Sequence, residues 1–168
     1  MISICSKKTI TAWVILIIWA VFIFYLSAQP AERSNNLSKG LVRVIIKAVD
    51  IVYPLDVKTS TTEDWVKRLN SIVREYAHAT VFLILGTLSI NAFKSSGFKS
   101  FKAFMAAFAL CAFFALLDEF HQLFVSGRAW ELGDLGMDCI GTLIGLSFYG
   151  LGIFTVFSFR RIAAKRFK

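Results

Sequence analysis

Apolar residues in this chain come in long unbroken runs separated by polar stretches, with no strand-like alternation. Residues 10–28, ITAWVILIIWAVFIFYLSA, contain no charged side chain, and roughly 20 mostly apolar residues are what a helix needs to cross the hydrocarbon core of a bilayer. Three further runs, at about 76–93, 103–125 and 135–159, have comparable length. The third ends in Asp118, Glu119 and His121 and the fourth begins with Asp134 and Asp138, so each carries ionisable groups at one end only. The pattern predicts an all-α fold, an integral membrane four-helix bundle forming one domain over residues 1–168. Lys7 and Lys8 ahead of the first run give it the flavour of a signal peptide, but the run is too long and further spans follow, so it is expected to be retained.

The long segment between the first two runs has a pattern of its own. Leu37, Leu41, Val44, Ile45, Ala48, Val49 and Val52 recur at helical spacing, with Lys39, Arg43, Lys47 and Asp50 on the other side, which predicts an amphipathic helix lying flat at the outer interface. Tyr53 and Pro54 should end it, and the polar stretch DVKTSTTED should lead to a second short helix beginning near Thr62. Such a loop could be a lid or a plain connector.

Composition agrees with a membrane protein: 57% of the 168 residues are hydrophobic, 18% are charged and the mean hydropathy is +0.65, too little polar surface to cover a soluble core. The net charge of +8 does not imply nucleic acid, because the positives cluster beside the apolar runs. Placing both termini and the 94–102 loop on one side gives that side Lys7, Lys8, Lys94, Lys99, Lys102, Arg160, Arg161, Lys165, Arg166 and Lys168 and no acid. The bias of Lys and Arg toward the inside makes this side cytoplasmic. The outer side, with nine Lys and Arg against eleven Asp and Glu, carries a net −2. The expected location is the cell membrane, crossed several times with both termini cytoplasmic, with membrane lipids as partners. Cys5, Cys111 and Cys139 suggest neither a disulfide nor a metal site.

The same topology gathers ionisable groups at one depth. Arg74, Glu75 and His78 open the second run, Asp118, Glu119, His121 and Gln122 close the third, and Asp134 and Asp138 open the fourth. Ionisable groups in a bilayer are costly and usually face the bundle interior or a water-filled cavity. Asp118 shares a helical face with His121 and Gln122, and Asp134, Asp138, Gly141 and Gly145 form one stripe on the fourth helix. The Gly141-xxx-Gly145 pair allows close helix approach and turns the two aspartates inward. Arg128, in the loop SGRAWELGD, has the donor fork to hold a carboxylate or phosphate, and Trp130 beside it suits the interfacial aromatic belt. The candidate pocket thus comprises Arg74, His78, Asp118, Glu119, His121, Gln122, Arg128, Asp134 and Asp138, a set to which the family resemblance that follows adds Gln29. Each group also has a plainer reading: an ion network that fixes packing, or a histidine satisfied at a helix end. The spacing matches no standard metal motif and no cofactor is expected. Ser27 and Ser126 are possible nucleophiles but sit in no recognised nucleophile motif.

Three stretches, YLSAQPAERSNNLS, REYAHATVFLILG and DEFHQLFVSGRAWELGDLGMDCIGTLIG, resemble the VanZ-like family of bacterial membrane proteins. The resemblance touches all four expected spans, and its motif residues correspond to Ser27, Gln29, His78, Asp118, Glu119, His121, Gln122, Arg128, Asp134, Gly141 and Gly145. Asp138 stands where many relatives have Asn. The resemblance implies an association, through the founding member, with resistance to the glycopeptide teicoplanin. Three kinds of function then compete: a pocket for a cell-envelope component such as a lipid-linked wall precursor or the glycopeptide itself, an enzyme modifying a lipid-linked substrate, and a structural or partner protein.

Overall fold

The computed structural model describes residues 6–52 and 59–166, with side chains described outside residues 50, 52, 59–64, 67, 68, 71 and 151–166. Five helices follow one another: α1 Lys7–Ser27, α2 Ala31–Val52, α3 Thr59–Ser95, α4 Ser100–Gln122 and α5 Leu132–Arg166. There is no strand among the described residues. Three helical segments, Lys7–Ser27, Ile72–Ser95 and Ser100–Gln122, are long and apolar enough to cross a membrane. The fourth expected span falls within α5, and its half beyond Gly150 lies outside the described side chains, as do Cys5, Asp50 and the Tyr53 and Pro54 breakers.

The second run and the short helix expected ahead of it form one helix. α3 has 37 residues, about 55 Å at 1.5 Å per residue, because no proline falls between Thr59 and Ser95 and nothing else in that stretch removes a backbone donor. α2 also starts earlier than its apolar stripe, at Ala31. Pro30 cannot continue α1, and its carbonyl accepts the first N–H bonds of α2 from Arg33 (3.0 Å) and Ser34 (3.1 Å).

Packing follows side-chain size in the reverse of a soluble protein. On α4 the residues at the bundle centre include Ala103, Ala107, Cys111, Ala115, Asp118 and Gln122, all at most 1% exposed, while Phe101, Phe113 and Phe120 point outward at 55–76%. Small residues inward and large apolar ones outward suit helices whose surroundings are as apolar as their core. α3 touches every other helix and meets α5 most extensively. A Cβ at Gly141 would overlap the Ala79 carbonyl oxygen, one at Gly145 the Leu83 carbonyl oxygen, and one at Gly86 would lie 2.7 Å from the carbonyl oxygen of Thr142. The two backbones therefore run in contact through complementary glycine positions. The Thr87 hydroxyl crosses the seam to the Gly145 carbonyl at 3.1 Å.

At the end carrying Lys94 and Lys99, α3 closes on a left-handed glycine, Gly97 (φ 89°). The N–H groups of Gly97 and Phe98 return to the carbonyls of Lys94 (3.0 Å) and Phe93 (3.2 Å), and the rings of Phe93 and Phe98 lie 5.2 Å apart, the hydrogen bonds and apolar contact of a glycine-terminated helix. The Thr9 hydroxyl (2.8 Å to the Ser95 carbonyl) and the Trp13 indole (3.0 Å to Ser96) tie α1 to the same end. At the opposite end α2 crosses back and packs on α3, where Asn70 donates to the side chain of Asn35.

Candidate functional site

At the end away from Gly97, the last turn of α1, the first turns of α2, the middle of α3 and the α4–α5 loop enclose a cavity of about 420 Å³. Its apolar walls include Ile23, Leu26, Leu37, Leu41, Val73 and Val81. Its polar lining is Ser27, Gln29, Arg33, Ser34, Ser38, Arg74, His78 and Arg128. Three arginines and a histidine face the space and, among the described residues, no Asp or Glu does.

Each segment reaches this place for a local reason. Ser27 and Gln29 flank the end of α1, where Pro30 forces the chain round. Arg33 lies one turn into α2, and Arg74 and His78, four residues apart, share one face of α3. Arg128 follows Gly127, whose positive φ of 76° lets the loop turn sharply. The backbone N–H of Ala31 donates to the Ser126 carbonyl at 3.3 Å, docking the start of α2 on the same loop.

The acids form a second layer behind the cavity. The Ser27 hydroxyl donates to Asp118 Oδ2 at 2.5 Å, and the Gln122 amide donates to the same oxygen at 3.1 Å. Arg128 Nη1 donates to Gln122 Oε1 at 3.2 Å. His78 Nδ1 stands 3.6 Å from Asp138 Oδ1, a charge-pair distance, with Asp138 wholly buried. Arg74 reaches Glu131 at 4.0 Å, and the Glu131 backbone N–H donates to Glu119 Oε2 at 3.2 Å. Asp118 and Glu119 are 0% exposed and Asp134 8%. Ser27, Arg74, His78 and Arg128 are thus each backed by an acceptor on α4, α5 or the loop between them.

This layer is not saturated. Asp118 Oδ1, Glu119 Oε1, both Asp138 carboxylate oxygens, Gln29 Oε1 and Arg128 Nε are buried without a hydrogen-bond partner. Buried polar groups are normally paired. Burial lowers the pKa of the Arg128 guanidinium, nearby Arg74 lowers it further, and Asp118, Asp134 and Glu119 oppose the shift. A guanidinium so desolvated, with a second cation at hand, favours an anion between the two.

Of the residues singled out from the sequence, Gln29, Arg74, His78 and Arg128 line the cavity. Asp118, Gln122 and Asp138 stand directly behind it, and Glu119 one step further back. Asp134 is buried in the first turn of α5. His121 is not part of the lining: its ring packs edge-on against Phe24, centroids 5.5 Å apart. Gly141 and Gly145 lie in the α3–α5 seam. Sequence reasoning missed Arg33 and Glu131, and it named Ser27 as a family motif residue and a possible nucleophile without placing it in the pocket. Arg33 belongs to AERSNN, immediately after Pro30, so its place on the first turn of α2 was legible from the proline alone.

A family model described as VanZ/LLP1 matches residues 12–157, a span that covers α2, α3 and α4 whole, most of α1 and α5, and every residue of the cavity lining. No curated protein matches, and no solved structure matches.

Proposed function

The chain belongs to the VanZ/LLP1 family, and from that premise we propose that it is a four-span protein of the bacterial plasma membrane whose cavity binds an anionic amphiphile of the cell envelope. The observation that carries this reading is the lining itself: Arg33, Arg74 and Arg128 share one cavity with the apolar walls Ile23, Leu26, Leu37, Leu41 and Val81. Guanidinium forks hold anionic oxygens in charge-assisted bonds, and the apolar walls suit the adjoining chain. The basic ends of the spans, Lys94, Lys99 and Lys102 among them, support a cytoplasmic position for the end that carries them, so the cavity at the other end opens toward the outer leaflet.

The exposed face of α2 fits the same arrangement. Leu37, Leu41, Val44, Ile45 and Val49 are 42–68% exposed, too much apolar surface to leave in water, and a helix lying in the interface buries such a face among acyl chains. α2 then forms a wall of the cavity at the depth of the lipid headgroups. On this reading, teicoplanin resistance in the family runs through an envelope lipid that the protein sequesters or alters, with no need to degrade the drug.

The experiment is lipid retention by the purified full-length protein, read by native mass spectrometry against defined mixtures of phosphatidylglycerol and phosphatidylcholine. The anionic lipid should be kept in preference, and Arg128→Ala should weaken it about 10- to 100-fold, the effect of losing one buried charge-assisted bond. Equal retention of the two lipids, unchanged by alanine at Arg33, Arg74 and Arg128 together, would remove the basis for the proposal.

A further inference from the structure

We propose that the cavity is the active site of a lipid phosphomonoester hydrolase, with His78 as general base and Asp138 as the residue that positions it; this rests on the anionic-amphiphile reading and extends it to a reaction. Three features lead there. The first is the number and origin of the cations. Arg33 comes from α2, Arg74 from α3 and Arg128 from the α4–α5 loop, and all three line one cavity. A carboxylate is satisfied by a single fork, whereas a terminal phosphate presents three charged oxygens in three directions. Convergence from three separate segments suits the larger, more highly charged group.

The second feature is the histidine. His78 Nδ1 is turned to Asp138, 3.6 Å away, and Asp138 is 0% exposed, with neither carboxylate oxygen holding a hydrogen bond. A carboxylate behind an imidazole fixes its tautomer, with the proton on Nδ1. Because the ring also lines the cavity, Nε2 is the nitrogen left to address it, as a proton acceptor. Guanidiniums only donate. Hydrolysis needs in addition a group that takes the proton of water at neutral pH, and of the lining residues an imidazole with Nε2 free is the one suited to it. The 3.6 Å spacing is loose for a hydrogen bond, as catalytic pairs often are before substrate binds. The third feature is the apolar wall, Ile23, Leu37 and Leu41 among it, which separates a lipid phosphate from a soluble one.

The reaction balances with water as the only co-reactant. Water oxygen attacks phosphorus while its proton passes to His78 Nε2; the bond from phosphorus to the lipid oxygen breaks; and the imidazolium returns the proton to that departing oxygen. The products are the lipid alcohol and inorganic phosphate. The arginines neutralise charge on the transferring group throughout.

The test is phosphate release by the full-length protein in mixed micelles, with phosphatidic acid and farnesyl phosphate as lipid substrates and glycerol 3-phosphate as the soluble arm. At least one lipid substrate should be hydrolysed, and glycerol 3-phosphate about a hundredfold more slowly or not at all. His78→Gly should lose at least about 100-fold and regain part of that rate with added imidazole, a rescue that a purely structural role for the ring would not give. Asp138→Asn should lower kcat about 10- to 100-fold with KM little changed. Failure to release phosphate from either lipid, by protein that still retains both in an Arg128-dependent way, overturns the hydrolase and leaves the binding reading intact. Failure to retain any anionic amphiphile removes both. Faster turnover of glycerol 3-phosphate than of either lipid overturns the lipid assignment.

Discussion

Replacing Gly141 by alanine tests the packing that holds the cavity together. The new Cβ would overlap the backbone carbonyl oxygen of Ala79, and the Ala79 Cα and C atoms lie 2.9 and 2.8 Å from the same point. All three are main-chain atoms of a helix, so no rotamer change relieves the clash and α3 and α5 must separate. Overpacking of this kind costs about 1–3 kcal/mol. Gly136, five residues earlier on the same helix, has nothing within 4 Å of its would-be Cβ, and there the same substitution should stabilise by up to about 1 kcal/mol through helix propensity. The two variants should therefore differ by about 1–4 kcal/mol, and at about 2–4 °C per kcal/mol for a domain of this size the midpoints should separate by roughly 2–16 °C. The assay is thermal unfolding in detergent, followed by loss of the monodisperse peak on size-exclusion chromatography. Ala79 adjoins His78, and Gly141 lies three residues from Asp138, so the separation should also widen the His78–Asp138 pair and weaken any His78-dependent activity beyond the stability loss. If Gly141→Ala melts with or above Gly136→Ala, the helices are not in backbone contact there and the reasoning fails.

Other substitutions probe the layer behind the cavity and the topology. Asp118→Ala strips the acceptor from both Ser27 and Gln122 and should destabilise by about 1–3 kcal/mol, with Asp118→Asn milder; equal unfolding midpoints for Asp118→Ala and the parent protein would count against that buried bonding. Trp19→Phe removes the 3.0 Å indole bond to the Val81 carbonyl and should cost about 0.5–1.5 kcal/mol in the same melt. For orientation, of cysteines placed singly at Lys99 and Ala129 in a background lacking the native cysteines, the one at Ala129 should react with an impermeant maleimide on intact cells and the one at Lys99 only after permeabilisation; labelling of both on intact cells contradicts the proposed arrangement.

A good deal of this protein was written in its residue order. A charge-free run such as 10–28 can only be a helix in lipid, since any other backbone would leave polar groups unpaired. The Gly141 and Gly145 spacing marked a close helix contact, and the clustering of Arg74, His78, Asp118 and Asp138 at the ends of their runs followed from the chain reversing direction at each loop. The pattern did not reveal that α3 continues unbroken from Thr59, because polar residues without a proline or glycine among them read equally well as loop or as helix. Nor could it separate the layers. Asp118 and Arg128 look alike as charged residues near a membrane boundary, yet one is sealed behind Ser27 and the other faces the cavity. His121 resembles His78 in the sequence but turns onto Phe24. Which side of a helix meets a neighbour depends on how the helices are rotated and crossed, and in runs apolar all the way round, such as α1 and α4, that rotation leaves little trace in hydrophobic periodicity. It is set by the fit of small residues against backbone, and only the assembled bundle displays that fit.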